Sequence, residues 1–296
     1  MLTSLPLLMI ILTSLNTIQW NYYGEVVKPF VVKANNIKDP EFFRLPDHSL
    51  YRDEEGYYYI VCTAHLFPAI LKTKDFKKYK FITKIPLVGK VAPFIIYDNE
   101  SNKFYMFYSD WRNIVKKDII YARLGLAIGV YKNNTFKFED KGYINILNSP
   151  LPSGELGWDP YIVKINNTFY MLYSAARHGV HIARAASLGK NWSYVGFVTL
   201  DERENPALFK FNKTWYMLIG IYYGEGYDLY SSTDFLHWKL EKRNWFKDPE
   251  YPILPSGSTC ALINNTLYHL YQIPLSNDLI TGAFSLKLAF VKLKDP

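Results

Sequence analysis

The stretch Phe169-Tyr-Met-Leu-Tyr-Ser174 decides the fold, because the chain repeats its pattern at regular intervals. The same aromatic strand, with Tyr in its second place, returns as Tyr58-Tyr-Ile-Val-Cys-Thr63, Phe104-Tyr-Met-Phe-Tyr-Ser109, Trp215-Tyr-Met-Leu-Ile-Gly220 and Leu267-Tyr-His-Leu-Tyr-Gln272. Consecutive copies of this tyrosine are 46, 65, 46 and 52 residues apart. A strand that returns at this interval indicates the blades of a β-propeller, each built from four strands.

The segments around each copy agree with this interpretation. Tight polar turns such as Asn166-Asn-Thr168 and Asn212-Lys-Thr214 precede the copies, and Asn tolerates the positive φ that such turns need. Turns that end in an aromatic residue, such as Ser187-Leu-Gly-Lys-Asn-Trp192, follow most copies, and no segment has helical periodicity over three turns. The sequence therefore predicts an all-β protein, a five-bladed β-propeller with four-stranded antiparallel blades around a central channel. No linker interrupts the repeats, so residues 21–296 are expected to form one domain.

The first 20 residues are treated separately. They contain an apolar run from Leu5 to Leu12, which is too short to span a bilayer and has the length of a signal-peptide core. We expect residues 1–20 to be a signal peptide or an N-terminal apolar segment, the protein to be secreted to the extracellular space, and no stable membrane span. The alternative is a segment that stays buried in the protein.

Sequons for N-glycosylation point the same way as the N-terminal run. The chain has six, beginning at Asn99, Asn133, Asn166, Asn191, Asn212 and Asn264, and this number is typical of a secreted glycoprotein. Turn geometry alone favours Asn at four of these positions, with or without a glycan.

Charge and cysteine content exclude several classes of site. The formal net charge is +7, but Lys and Arg alternate with acidic residues along the chain, so a nucleic-acid partner is not expected. The two cysteines, Cys62 and Cys260, lack metal-ligand spacing and allow one disulfide at most. Both lie in apolar strand segments, where free Cys behaves as a small hydrophobic residue.

The chemistry of a propeller is expected where its innermost strands begin, because residues from different blades meet there. Counting back about 12 residues from each repeated tyrosine reaches that point, and the residues found are Asp47, Pro93, Asp159 (eleven residues back), Glu204 and Ser256. Three blades thus bring a carboxylate to one equivalent place. Glycoside hydrolysis uses one carboxylic acid to protonate the leaving oxygen and one carboxylate to act at the anomeric centre. A third acid nearby favours the protonated form of the first through like-charge repulsion.

These residues resemble the motifs of glycoside hydrolase family 43 and its five-bladed relatives, families 32, 62, 68, 117 and 130. The resemblance covers roughly residues 37–290 and rests on Asp47-His-Ser49, Ala92-Pro93, Asp159-Pro160 and Glu204-Asn-Pro206. It implies that Asp47 is the general base, that Glu204 is the general acid, and that Asp159 modulates the acid and orients the substrate. Asp39, in Asp39-Pro40, is the rival for the base, although it lies 20 residues before Tyr59.

Three positions depart from the family pattern. His48 replaces the proline of the first motif, and Phe94 stands where an acidic residue often follows Ala-Pro. The fifth blade offers the run 256–259, Ser-Gly-Ser-Thr, where family members often present a histidine near a central ion. We therefore expect no required cofactor and no metal ligands, with a central structural calcium ion left as an alternative that these residues do not favour.

Further residues are candidates for binding the substrate, because aromatic faces stack on sugar rings while Arg and His hydrogen-bond hydroxyls. They are Trp158, Trp111, Arg112, His48, Tyr222, Arg177 and His178. For the aromatic residues core packing is the competing role, and for the histidines an exposed loop position.

The sequence therefore predicts an exported glycoside hydrolase, similar to arabinofuranosidases and xylosidases, that acts on an oligo- or polysaccharide with inversion. One alternative is a retaining hydrolase similar to the fructan-cleaving families. Another is a glycoside phosphorylase, for which Arg177, His178, His181 and Arg184 would hold phosphate. The non-enzymatic alternative is a carbohydrate-binding propeller.

Overall fold

The protein consists of β-strands arranged in five blades. The computed structural model describes residues 20–27, 31–32, 41–42, 48–64, 67–76, 78–110, 115–116, 119–120, 122–151, 157–175, 178–221, 224–254, 257–274 and 284–293. The strands within these ranges are β1 (Asn21–Val27), β2 (Val31–Val32), β3 (Glu41–Phe42), β4 (His48–Arg52), β5 (Tyr58–Ala64), β6 (Phe67–Thr73), β7 (Tyr79–Lys84), β8 (Lys90–Asp98), β9 (Lys103–Asp110), β10 (Val115–Lys116), β11 (Ile119–Ile120), β12 (Arg123–Lys132), β13 (Thr135–Tyr143), β14 (Asn145–Leu147), β15 (Trp158–Ile165), β16 (Thr168–Ala175), β17 (Gly179–Ala185), β18 (Asn191–Thr199), β19 (Glu204–Phe211), β20 (Thr214–Gly220), β21 (Tyr227–Ser232), β22 (Lys239–Phe246), β23 (Ser258–Ile263), β24 (Thr266–Pro274) and β25 (Phe284–Lys292).

Each blade is a sheet whose strands follow one another in the chain. From the channel outward, the blades are β4-β5-β6-β7, β8-β9-β12-β13, β15-β16-β17-β18, β19-β20-β21-β22 and β23-β24-β25-β1. The first strands of neighbouring blades contact each other in a closed cycle from β4 through β8, β15, β19 and β23 back to β4. The N-terminal strand β1 pairs with β25, so the last blade is completed by the beginning of the chain and the ring is closed.

The expected five-bladed propeller is therefore confirmed, with one refinement. The third blade carries a fifth strand, β14, which pairs with β18 in parallel orientation. Two short hairpins, β2-β3 and β10-β11, stand outside the blades. The described residues contain no helix that is long and apolar enough to cross a bilayer.

The repeated tyrosine has a packing role that explains its recurrence. The apolar core is divided into five clusters, one between each pair of neighbouring blades, and each repeated tyrosine packs into the cluster shared with the following blade. Tyr59, for example, lies between the first and second blades, and Tyr216 lies between the fourth and fifth. Because side chains alternate along a strand, the next residue in each copy faces the preceding blade.

The structure shows the state of the two cysteines and the position of Trp20. Cys62 and Cys260 are free and buried, so they do not form the one disulfide that the sequence allowed, and burial raises the pKa of the Cys62 thiol to about 12. Trp20, which the sequence analysis assigned to the N-terminal segment, is buried and packs its ring against Trp245 and Phe246. The preceding residues, 1–19, lie outside the described residues.

His269 breaks the apolar pattern of the repeat. Its place is taken by Ile60, Met106, Met171 and Met217 in the other blades. His269 is fully buried, its ring is surrounded by aromatic side chains that include Tyr227 and Phe246, and neither ring nitrogen has a hydrogen-bond partner within the described part of the chain. Burial, with a smaller contribution from nearby His48, lowers the pKa of His269 to about 3.

We predict that His269→Met stabilises the protein, and more so in acid. An unsatisfied buried polar group costs about 1–3 kcal/mol, so the variant should gain on that order at pH 7. Because the folded-state pKa is about 3 and the unfolded value is about 6.5, the unfolded chain binds an extra proton between these values, and stability falls as pH drops through that window. Urea unfolding at pH 7.5 and pH 5 measures both effects.

Met217→Leu is the matched control, because it changes the same position of the neighbouring blade without touching a titratable group. It should leave the pH dependence of stability unchanged. A His269→Met protein whose stability falls with pH as steeply as that of the parent would contradict the prediction.

Candidate active site

Three inner strands share an irregularity where they begin. The residue before a proline has positive φ in each: Ala92 at 47°, Asp159 at 51° and Asn205 at 54°. The pairing register slips at the same points, because two residues of the inner strand oppose a single residue of the second strand. This is a β-bulge, which redirects side chains at the end of a ladder, and Asp and Asn tolerate the left-handed conformation better than most residues.

A hydroxyl of the preceding blade fixes each bulge. The backbone amide of Ala92 donates to Thr63 Oγ1 at 2.9 Å, that of Asp159 to Ser109 Oγ at 3.1 Å, and that of Asn205 to Ser174 Oγ at 3.2 Å. All three hydroxyl-bearing residues are buried and lie four residues after the repeated tyrosine. Their role was not predicted from the sequence, although the Thr or Ser that ends the first three copies of the repeat was the available signal.

Ser174 connects the two strands that carry acids. Its hydroxyl accepts from the Asn205 amide and lies 3.4 Å from Asp159 Oδ2, to which it can donate its own proton. Gly157 lets the backbone before Asp159 lie close to the backbone of Ser174, because a Cβ at Gly157 would be 2.5 Å from the Ser174 carbonyl oxygen. Asp159 on the third blade and Asn205 on the fourth blade are thus held by one buried hydroxyl.

Trp158 reaches Glu204 across the same junction. Its indole Nε1 donates a hydrogen bond of 3.0 Å to Glu204 Oε2, and both residues are partly buried. Arg203, which directly precedes Glu204, directs its Nε to Asp228 at 2.9 Å. The tryptophan that was expected to adjoin the site therefore also positions the carboxylate of the neighbouring blade.

Equivalent positions of the five inner strands form rows around the channel. Glu204 and Asp159 lie in two adjacent rows and not in the same row. Glu204 pairs with Gly220 and Trp158 pairs with Ser174, so Glu204 and Trp158 are equivalent by register. Asp159 corresponds instead to Asn205, one residue later. The expectation that both acids occupy one equivalent place is therefore corrected by one residue, because the two strands carry the same bulge and Asp159 lies one residue nearer to its repeated tyrosine than Glu204 does.

The row of the bulges encloses a cavity in the channel. It is lined by residues of all five inner strands, among them His48, Pro93, Asp159, Asn205 and Ser258. His48 is buried, and its Nε2 lies 3.1 Å from the Leu270 carbonyl of the fifth blade, to which a protonated Nε2 donates. Burial lowers the pKa of His48 to about 4, although the hydrogen bond to Leu270 opposes the shift. A neutral ring in this tautomer leaves Nδ1 as an acceptor.

The described donors do not fit a calcium ion. Calcium takes six to eight oxygen ligands, whereas the lining of this cavity in the described residues includes a single carboxylate, that of Asp159. No three His, Cys, Asp or Glu side chains of the described residues come together in a way that could hold a metal ion.

Solved structures provide the comparison with known proteins. No protein-family model matches the chain, and no curated protein matches it by sequence. The catalytic domain of a family 62 α-L-arabinofuranosidase from Coprinopsis cinerea is similar, with 12% identity, a TM-score of 0.70 and coverage of 93% of this chain and 98% of that one. A family 43 β-1,3-galactosidase bound to galactodeoxynojirimycin is similar at 14% identity, a TM-score of 0.59 and coverage of 92% and 99%.

A third structure extends the range of sugars. The family 32 β-fructofuranosidase of Bombyx mori is 12% identical with a TM-score of 0.63, and the match covers 95% of this chain and 65% of that one. The chain has the propeller fold of these glycoside hydrolases. The resemblance to family 43 and its relatives is thereby confirmed at the level of fold.

The other expected site residues divide into two groups. Asp47, Trp111, Arg112, Arg177 and Tyr222 lie outside the described residues and stay predictions. His178 is described and exposed, at the connection between β16 and β17 on the site's end of the blade.

The alternative of a glycoside phosphorylase depended on a group of cationic side chains that could hold phosphate. In the described part of the chain these side chains do not come together. His181 is buried, stacks on Tyr173 and directs its Nε2 to the His178 carbonyl at 2.8 Å. Arg184 lies five residues along β17 from Gly179, toward the end of the blade away from the acids. A phosphate would meet neither side chain beside Glu204.

Proposed function

We propose that the chain is a glycoside hydrolase that cleaves arabinofuranosides or xylosides of oligo- or polysaccharides with inversion. The observation that carries the proposal is the pairing of Asp159 and Glu204, from adjacent blades, at the beginning of a closed channel. Trp158 holds Glu204 through a hydrogen bond that crosses between the blades, and the Ser174 hydroxyl links Asp159 of its own blade to the Asn205 amide of the next. Acids placed beside apolar strands cost free energy, and such positions are enriched at functional sites.

In the proposed reaction Glu204 donates a proton to the glycosidic oxygen as the bond from that oxygen to the anomeric carbon breaks. A water oxygen forms the new bond to the anomeric carbon from the opposite face, and Asp47 accepts the proton that this water loses. The products are an alcohol and a free sugar of inverted configuration. The role of Asp47 comes from the resemblance of its motif to family 43.

Asp159 and His48 are proposed to bind the sugar. Both line the cavity, and Asp159 is only 8% exposed, so a hydroxyl that it accepts is shielded from water. The cavity has room for a group of about the size of a water molecule, so the contact proposed is with one hydroxyl of the sugar or a bound water, and His48 Nδ1, which has no partner among the described residues, is its second acceptor. The Trp158 ring, beside Glu204, offers an apolar face to the sugar.

The choice of sugar is supported by the match to the family 62 arabinofuranosidase, which covers nearly all of both chains. The galactosidase and fructofuranosidase structures define the competing sugars for the assay. A panel of aryl arabinofuranosides, xylosides, galactosides and fructosides therefore tests the substrate class.

We predict that Glu204→Gln loses most activity on substrates whose leaving group must be protonated and little on substrates whose leaving group departs as an anion. General acid catalysis contributes about 10²–10⁴-fold, so hydrolysis of an aryl glycoside with a basic leaving group should fall by that order. A dinitrophenyl glycoside, whose leaving group departs without a proton, should be hydrolysed at close to the parental rate. Steady-state kcat/KM for the two substrates measures the difference.

Glu202→Gln is the control, because it makes the same chemical change at an exposed position two residues away. It should keep parental activity on both substrates. Equal loss on both leaving groups in Glu204→Gln would contradict the role of acid, and a parent that binds glycans but hydrolyses none of the panel would favour the carbohydrate-binding alternative.

We predict inversion at the anomeric carbon. Proton NMR of the reaction at early times should show the free sugar in the anomeric configuration opposite to that of the substrate, before mutarotation mixes the two forms. Retention would instead assign Asp47 as a nucleophile, as in the fructan-cleaving families.

We predict that Ser174→Ala lowers kcat more than it changes KM, because the hydroxyl positions both acid-bearing strands without touching the substrate. A fall of roughly tenfold corresponds to about 1.4 kcal/mol of transition-state stabilisation. Ser174→Thr retains the hydroxyl and should restore kcat, since Thr63 occupies the same place in the first blade.

Thr63→Val is the matched control. It removes the same type of hydrogen bond at Ala92, a bulge without an acid, and should cost similar stability with little change in kcat. If the two variants lose kcat equally, Ser174 has only a structural role.

A further inference from the structure

The six sequon asparagines share a position in the propeller. All six are exposed; five lie in a connection between the first and second or the third and fourth strands of a blade, and Asn191 is the residue directly after such a connection. Asn99, Asn166, Asn212 and Asn264 follow the inner strands β8, β15, β19 and β23, while Asn133 lies farther out, in the turn after β12, and Asn191 begins β18.

The direction of the strands places these connections at one end of the molecule. Asp159 and Glu204 lie at the beginnings of their inner strands, so the chain runs from the site's end to the far end along first strands and returns along second strands. The third strand leaves the site's end again and the fourth returns. Every connection that carries a sequon is therefore at the far end, and the sequence has no sequon in the connections around the acids.

Turn chemistry accounts for part of this arrangement only. Asn133, Asn166, Asn212 and Asn264 have φ between 48° and 54°, which hairpin turns require and Asn tolerates. In the turn after β8, however, the residue of positive φ is Asn102 (55°), whereas the sequon begins at Asn99. Asn191 begins strand β18 without positive φ, so the turn does not require asparagine there either.

The far end of the channel has its own cavity, and four of the sequons begin two or three residues after residues that line it. It is lined by side chains of all five inner strands, with Arg52 and Lys210 beside apolar residues such as Leu50, Ile96 and Val163. The four sequons that follow inner strands stand at its rim. Glycans there would cover the far mouth of the channel and leave the acid-bearing entrance free.

We propose that the protein is N-glycosylated on the far end of the propeller, at the asparagines that surround the far mouth of the channel. The oligosaccharide is transferred from a lipid-linked oligosaccharyl diphosphate. The bond from its anomeric carbon to the diphosphate breaks, an N-glycosidic bond to the Asn side-chain nitrogen forms, and that nitrogen loses a proton while the lipid diphosphate leaves. This requires that the chain enters the secretory pathway, as its N-terminal apolar run leads us to expect.

The full chain, with its own first 20 residues, is expressed in a secreting eukaryotic host and recovered from the medium. Treatment with peptide N-glycosidase in H₂¹⁸O converts each glycosylated Asn to labelled Asp, and peptide mass spectrometry reports each site. We expect label at Asn99, Asn166, Asn212 and Asn264, and a matching loss of mass from the intact protein.

Variants at Thr168 separate glycosylation from turn formation. Thr168→Ala removes the sequon of Asn166 but keeps the Asn166-Asn167 turn, so it should lose the label at Asn166 alone. Thr168→Ser keeps the sequon and should retain the label. Secreted protein without label at the four rim sites would overturn the proposal, and so would protein found only in the cytosol without glycans. Either result leaves the proposed hydrolase activity to its own assays.

Discussion

The backbone amide of each proline-bearing bulge donates a hydrogen bond to a hydroxyl at the end of the preceding blade, and the geometry of the site depends on this contact. Asp159 is anchored on Ser109, and Asn205 is anchored on Ser174. Since these groups are buried, an amide without its hydroxyl would be left unsatisfied, which is costly. The depth at which each acid enters the channel is therefore set by the neighbouring blade.

These hydrogen bonds between blades can form only if neighbouring blades are held in a fixed position relative to one another. The closed ring holds them there. Strand β1 completes the fifth blade against β25, and Trp20 packs beside it into the cluster between the fourth and fifth blades. At the other side of the seam, His48 of the first blade contacts the Leu270 carbonyl of the fifth. His48 therefore both lines the cavity and contacts the fifth blade, so the cavity is complete only when the first and fifth blades are in contact.

The blades could be predicted from the sequence because their signal is local and repeated. Successive side chains of each aromatic strand face the two neighbouring blades in turn. The repeated tyrosine and the apolar residue after it therefore recur at the same positions in every blade. The row of each acid follows from the same count, because Asp159 lies 11 residues before Tyr170 whereas Glu204 lies 12 before Tyr216. The bulge that both strands share could not be predicted in this way, because counting back from the tyrosine treats every inner strand as regular.

The positioning groups were missed for a related reason. Ser174 was visible as the last residue of a repeat, but its function lies in a contact with another blade, and no spacing within one blade predicts such a contact. The same holds for the hydrogen bond from Trp158 to Glu204, which joins residues 46 positions apart. His269 was visible as a histidine in an apolar place, yet its isolation became clear only when the surrounding aromatic residues were located.

The one-residue offset between the acids gives them different surroundings, and this favours a division of roles. Glu204 precedes its bulge and is partly exposed at the entrance, where a leaving group that extends from the channel would pass. Asp159 lies within its bulge, is 8% exposed, and faces the cavity with His48. A proton donor has to reach an oxygen between two sugars, whereas a residue that orients one sugar ring acts from inside the cavity. Two acids in the same row would both stand at one depth, whereas these two differ by one position along equivalent strands, with Glu204 before the bulge and Asp159 within it.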